Sequence, residues 1–158
     1  MILDAAVELE LKTPQDVERL GAALARLLRP GDALLLWGEL GAGKTTLARG
    51  LVRALADPDE EVPSPTFTLV QTYEGPDFPV AHFDLYRLSG PREVFELGFD
   101  EALDVGAAVV EWPQRLGARL PPDRLDIELR HTRVGGPDEG RHARLEPHGS
   151  FRGRVLEQ

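Results

Sequence analysis

Residues Gly38-Glu39-Leu40-Gly41-Ala42-Gly43-Lys44-Thr45 decide how the rest of the chain is read. They fit G-x-x-x-x-G-K-[ST], the pattern of a phosphate-binding loop. The chemistry requires these residue types. Glycine admits backbone angles closed to other residues and lets the main chain approach a phosphate closely. Successive amide N–H groups then form a nest for an anion, and the following helix adds its positive N-terminal end. The Lys44 ammonium can bridge the outer phosphates, and the Thr45 hydroxyl can ligate Mg²⁺. In a chain of this composition the pattern arises by chance roughly once per thousand chains.

The flanks suit the loop. Ala33 to Trp37 (ALLLW) is a continuous apolar run, as expected of a strand covered on both faces. A helical pattern follows from about Lys44 to Leu55. Upstream, Ala5 to Leu11 alternates apolar and polar residues, the mark of a half-buried strand. Thr13-Pro14 reads as N-cap and first helical residue. Val17, Leu20, Leu24, Leu27 and Leu28 recur at helical spacing until Pro30-Gly31.

Downstream, Pro63 and Pro65 break the chain before an extended segment at Thr66 to Tyr73. Pro79 to Phe83 predicts a strand and Pro91 to Leu97 a short helix. Ala107 to Val110 is a short strand ending at Glu111, and Pro113 to Leu120 a short helix. Leu125 to Leu129 and Ala143 to Leu145 predict an antiparallel pair joined by a turn at 135–140. Trp37 and Phe83 read as core.

The sum is an α/β fold, a P-loop NTPase-like sandwich. Its sheet is mostly parallel, with antiparallel additions from the N- and C-terminal ends. Residues 1–147 form one domain, and 148–158 a short polar tail expected to fray.

Composition narrows the function. Hydrophobic residues make up 42% and charged residues 28%, an ordinary globular balance. With no cysteine, disulfides, thiolate metal sites and thiol nucleophiles are excluded. No apolar run matches a membrane span and no signal sequence is evident, so a cytoplasmic, membrane-free protein is expected. The net charge of −9 argues against a non-specific nucleic-acid binder. That charge is uneven: residues 1–112 hold 9 basic and 20 acidic side chains, and residues 113–158 hold 9 and 7. The basic excess at the C-terminal end reads either as chance or as a face toward an anionic ligand or partner. The four histidines show no metal-ligand spacing, and a packing or hydrogen-bonding role suits His82.

A phosphate-binding loop alone hydrolyses nothing; acids must hold Mg²⁺ or orient water. Asp84 and Glu111 each close an apolar strand, at the sheet edge where ligands of open α/β folds gather. Pro63 and Pro65 stiffen the short loop Ser64-Pro65-Thr66-Phe67, which offers the Thr66 hydroxyl. A threonine in such a loop can complete a metal shell and report whether a γ-phosphate is present. Arg87 suits either a transition-state contact, a partner for Asp84 or a surface position.

Taken in order and spacing, GELGAGKTT, SPTFTL, HFDLYR and VVEWP resemble the bacterial TsaE (YjeE) ATPase family. The resemblance runs from about Leu11 to Arg144. It implies a small P-loop ATPase that supports the threonylcarbamoyl modification of adenosine 37 in tRNA. Such a protein serves the TsaD–TsaB pair and meets tRNA indirectly through that complex, direct contact with tRNA staying open. Gly41, Ala42, Gly43, Lys44, Thr45 and Thr46, with Leu40 beside them, are implied to hold the phosphates of ATP. Thr45 and Glu111 are implied to ligate Mg²⁺, with Asp84 a second essential acid for the metal or the water. Lys44 and Thr66 complete the implied catalytic set. Gly140-Arg141 resembles a late Gly-Arg that reaches the nucleotide. Many relatives carry threonine where this chain has Val17, which leaves contacts to the base to the backbone at Pro14 and its neighbours.

Two other readings stay open. A small-molecule kinase needs a second pocket and an arginine-rich lid, and the 113 residues after Thr45 show no obvious lid. A nucleotide-gated binding module would differ from an ATPase only in its rate of hydrolysis.

Overall fold

Strand β2 (Ala33–Trp37) runs through the middle of a seven-stranded sheet in a computed structural model that describes residues 1–65, 67–132 and 140–157. Its four residues Ala33 to Leu36 are buried, which explains the unbroken apolar run. Parallel neighbours flank it: β5 (Ala107–Glu111) on one side and β6 (Arg124–His131) on the other. Beyond β5 lies β4 (Pro79–Asp84), also parallel, and then β3 (Val70–Glu74), antiparallel at the edge. Beyond β6 lie β7 (Arg141–His148) and β1 (Val7–Leu11), each antiparallel to its neighbour. The expected α/β sandwich is thus present, with antiparallel strands from both chain ends. The second antiparallel edge, β3, comes from mid-chain.

Helices cover both faces. Helix α1 (Pro14–Ala25) begins at a capping box: the Thr13 hydroxyl accepts from the Asp16 N–H, and the Asp16 carboxylate accepts from the Thr13 N–H. It stops earlier than its apolar spacing suggests. The N–H groups of Arg26, Leu27 and Leu28 bond three residues back, tightening the chain into turns. Helix α2 (Lys44–Leu55) lies against α1 at glycine-only distance. A Cβ on Gly21 would stand 2.2 Å from the Leu47 carbonyl oxygen, and one on Gly50 2.1 Å from that of Glu18. The two helices bury Leu20, Leu24, Leu47 and Leu51 against Leu34, Leu36, Val109 and Ile127 of the sheet.

The opposite face carries Leu35, Phe83 and Val110. These pack under α3 (Pro91–Glu96), α4 (Phe99–Val105) and a 3-10 turn at Pro113–Leu116. Helix α4 lies outside the sequence expectation; Gly98, at φ 89°, separates it from α3. Phe83 is core as expected. Trp37 is half-buried at the strand end, its indole N–H donating to Asp126 at 3.1 Å.

The described part of the C-terminal segment packs onto the fold. Phe151 and Leu156 are buried against the α1 side, and Val155 bridges Ile2. Arg154 is buried in a two-bonded pair with Asp32, at 2.6 and 3.2 Å. The composition of 148–158 is polar, but Phe151 and Leu156 find cover while Val155 stays about half exposed. Elsewhere among the C-terminal arginines, Arg124, Arg130 and Arg144 meet nearby carboxylates. Among the described residues, no helix is long and apolar enough to cross a membrane.

Candidate functional site

The turn after β2 works because two of its glycines do what no other residue could. Gly38 has φ 143°, and a Cβ there would stand 2.6 Å from the Leu129 carbonyl oxygen. Gly43, at φ 104°, is the N-cap of α2 and brings no capping side chain. The first-turn N–H groups of α2 therefore face the cleft as donors for an anion. The cleft encloses about 420 Å³ and is lined by the loop and the start of α2 on one wall, with Asp84, Glu111 and Trp112 opposite.

Strand register sets the acids. β4 and β5 run parallel with Asp84 opposite Glu111, so both carboxylates emerge at one level of the sheet edge. The Thr45 hydroxyl lies 3.1 Å from each oxygen of Glu111. Glu111 also meets the fully buried His82, whose Nε2 stands 2.6 Å from Oε2. Asp84 accepts from the Ser64 hydroxyl at 2.8 Å and from the Tyr86 N–H at 3.0 Å. The sequence reading did not find Ser64 or Tyr86 as partners of Asp84. Alternation along β4 is the one signal that puts His82 and Asp84 on the same face.

Lys44 is almost wholly buried, and its ammonium donates to the Gly38 carbonyl at 2.7 Å. It also lies over the Trp112 ring, 3.5 Å from its centre. Burial pulls its pKa below the usual lysine range, and the charges of Glu111 and Asp84 oppose that pull. Trp112 holds a left-handed backbone, φ 60°, and its ring meets that of Tyr86 at 4.8 Å.

Arg141 is drawn to the loop from the far end of the chain. Its Nε donates to the Ala42 carbonyl at 2.9 Å, and its Nη2 to that of Gly41 at 3.0 Å. Thr46 and Leu40 line the cleft, and the Leu40 side chain is 81% exposed. Ala42 is buried behind the loop. Pro14 does not line the cleft; it starts α1, whose Val17 side chain lies 3.8 Å from the place of a Cβ on Gly43. Arg87 sits over the Phe67 ring, 5.3 Å from its centre. Thr66 lies outside the described residues, as does most of the turn expected at 135–140.

Thr45, Glu111 and Asp84 offer hard oxygen donors, the kind Mg²⁺ takes. No cluster of three or more His, Cys, Asp or Glu among the described residues is placed to hold a metal ion by itself.

A parallel strand, a glycine-rich turn and a helix facing paired strand-end acids define a P-loop fold. Comparison with known proteins narrows the class. Residues 11–139 match the family model described as threonylcarbamoyl adenosine biosynthesis protein TsaE. The tRNA threonylcarbamoyladenosine biosynthesis protein TsaE of Streptomyces coelicolor is 42% identical over 131 residues, covering 80% of this chain and 86% of that one. Its namesake in Bacillus subtilis is 36% identical over 127 residues, covering 80% and 77%. The crystal structure of YdiB from Bacillus subtilis superposes with a TM-score of 0.74 at 28% identity, covering 96% of this chain and 90% of that one. The chain belongs to the TsaE family of tRNA threonylcarbamoyladenosine biosynthesis proteins.

Proposed function

We propose that the chain is a Mg²⁺-dependent ATPase that serves the TsaD–TsaB pair in modifying adenosine 37 of tRNA. The observation that carries this reading is the Thr45 hydroxyl set 3.1 Å from both oxygens of Glu111, with Lys44 in the same cleft. Bound Mg²⁺ would supply charge neutralisation at the phosphates. The loop from Gly41 to Thr46 and the N-terminal end of α2 orient the phosphate chain. Lys44 leaves its contact with Gly38 to meet the outer phosphates as charge develops. Thr45 and Glu111 hold the metal, and Asp84 stands across from them to steady the metal shell or the attacking water. Arg141 stiffens the loop through its carbonyls, and contacts to the base fall to the backbone near Pro14, outside the phosphate cleft.

The segment Ser64 to Phe67 acts as the γ-phosphate sensor, with Thr66 as its hydroxyl. Ser64 couples that segment to Asp84 through their 2.8 Å hydrogen bond. A partner reads the ordered state, and hydrolysis resets it. The site of action is the cytoplasm.

Phosphate release from Mg-ATP tests the proposal, with and without TsaD and TsaB, beside Lys44→Ala. Stimulation by the partners in wild type and its loss in the variant is the expected result. Partner binding that strengthens with ATP while no phosphate is released would replace the ATPase with a nucleotide-gated module.

A further inference from the structure

We infer that His82 is a positioning residue for the Glu111 carboxylate and so sets how tightly the cleft holds a divalent cation beside a nucleotide. The inference rests on the reading of Glu111 as a metal ligand. His82 is fully buried on the α2 side of β4, on the face that also carries Val80. An apolar side chain would fill such a place at less cost. The ring makes one hydrogen bond among the described residues, Nε2 to Glu111 Oε2 at 2.6 Å, and its Nδ1 has no partner there. Burying an imidazole with one nitrogen unsatisfied is expensive, so the single bond it makes is the one with consequences.

Its geometry explains what that bond does. A carboxylate only accepts, so Nε2 carries the hydrogen and donates. Held at Oε2 by a ring with no room to swing, the carboxylate cannot rotate about its last torsion. Oε1, which the ring does not hold, is then left to the cleft; the Thr45 hydroxyl lies 3.1 Å from it and from Oε2 alike. A ligating carboxylate fixed by an outer hydrogen bond binds its metal in one orientation, and loss of such a partner weakens metal affinity 10- to 100-fold as a rule.

The test measures ATP binding by calorimetry, first in EDTA and then across Mg²⁺ concentrations. It compares wild type, His82→Leu, His82→Gln and His82→Asn, with a melting curve for each. Gln places an amide N–H near the position of Nε2, while Asn reaches only the Nδ1 position. We expect His82→Leu and His82→Asn to raise the Mg²⁺ needed for half-maximal tightening of ATP by about tenfold. Affinity in EDTA stays within about twofold in every variant, and His82→Gln recovers most of the wild-type Mg²⁺ response. Equal behaviour of the Asn and Gln variants would overturn the inference, and that comparison holds even if the Leu variant does not fold. Equal losses with and without Mg²⁺ would overturn it too, as the mark of a packing role. Absence of ATP binding by wild type in both conditions would instead remove the nucleotide-site reading beneath it.

Discussion

Lys44 is held from two sides: the Gly38 carbonyl takes one of its N–H groups at 2.7 Å, and the Trp112 ring lies 3.5 Å beneath its ammonium. Trp112 lines the cleft and Gly38 opens the loop, so the lysine is docked where a phosphate would compete for it. A buried cation over an indole gains about 2 kcal/mol or more, and a charge-assisted contact to a phosphate competes for the same ammonium. Lys44→Ala should therefore cut phosphate release from Mg-ATP about 100-fold or more, while the melting temperature of the nucleotide-free protein moves by a few degrees at most. A phosphate-release assay and a thermal scan on the same preparation decide it. Wild-type turnover in the variant would refute the role.

His142 sits between two glutamates of the edge strand β1, with Nδ1 2.6 Å from Glu10 and Nε2 2.8 Å from Glu8. The bond to Glu10, then that to Glu8, raises the imidazole pKa, and the bond from His142 lowers that of Glu8. A raised imidazole pKa stabilises fully below the ordinary value of about 6.5 and loses that effect as pH climbs through the raised value. A lowered carboxyl pKa stabilises fully above about 4.3 and loses its effect as pH falls through the lowered value. The stability difference between wild type and His142→Gln should thus be largest between about pH 4.3 and 6.5 and shrink at alkaline pH. Melting curves across that range test it; a difference that grows above pH 8 would contradict the assignment.

Arg154→Ala leaves Asp32 buried without the guanidinium that now bonds it twice. Unpairing a buried charge in this way costs about 3–5 kcal/mol. Urea unfolding should show that loss, and replacing both residues by apolar ones should cost less than the single change. A single variant as stable as wild type would mean that the Asp32–Arg154 pair contributes nothing to stability.

Gly50→Ala drives a methyl group into the Glu18 carbonyl of α1, which would lie 2.1 Å away. The helices must part, and overpacking of this kind costs about 1–3 kcal/mol. Because α1 reaches the loop through Val17, the same variant should also weaken nucleotide affinity. Denaturant unfolding and a binding titration separate the two effects.

Much of this was readable before any coordinates, for physical reasons that differ by element. Ala33 to Trp37 and Lys44 to Leu55 have the bounds read from sequence, because a doubly covered strand and an amphipathic helix leave strong local patterns. Asp84 and Glu111 stood out because a carboxylate ending an apolar strand breaks that pattern abruptly. Other features depend on partners distant in sequence. Helix α4 is seven residues long and exists through burial of Phe99 against Phe83 and Phe95. The pair Asp32–Arg154 spans 122 positions. Nothing local in GSFRGRVLEQ announces it. Likewise, no sequence rule tells that Ser64 turns its hydroxyl to Asp84 or that Lys44 lies over Trp112.

Strand β7 bears on which stretch of this chain must stay together. The family match closes at residue 139, yet the arginine that grips the loop carbonyls stands two places later, at the first residue of β7. Trimmed to the matched stretch, the chain would expose β6 as a raw edge able to pair with other molecules, and would lose Ala143 and Leu145 from its core. A fragment cut at the bounds of the family match would therefore carry most of the family's signature while lacking the brace that steadies the loop. The recognisable text is shorter than the object that folds.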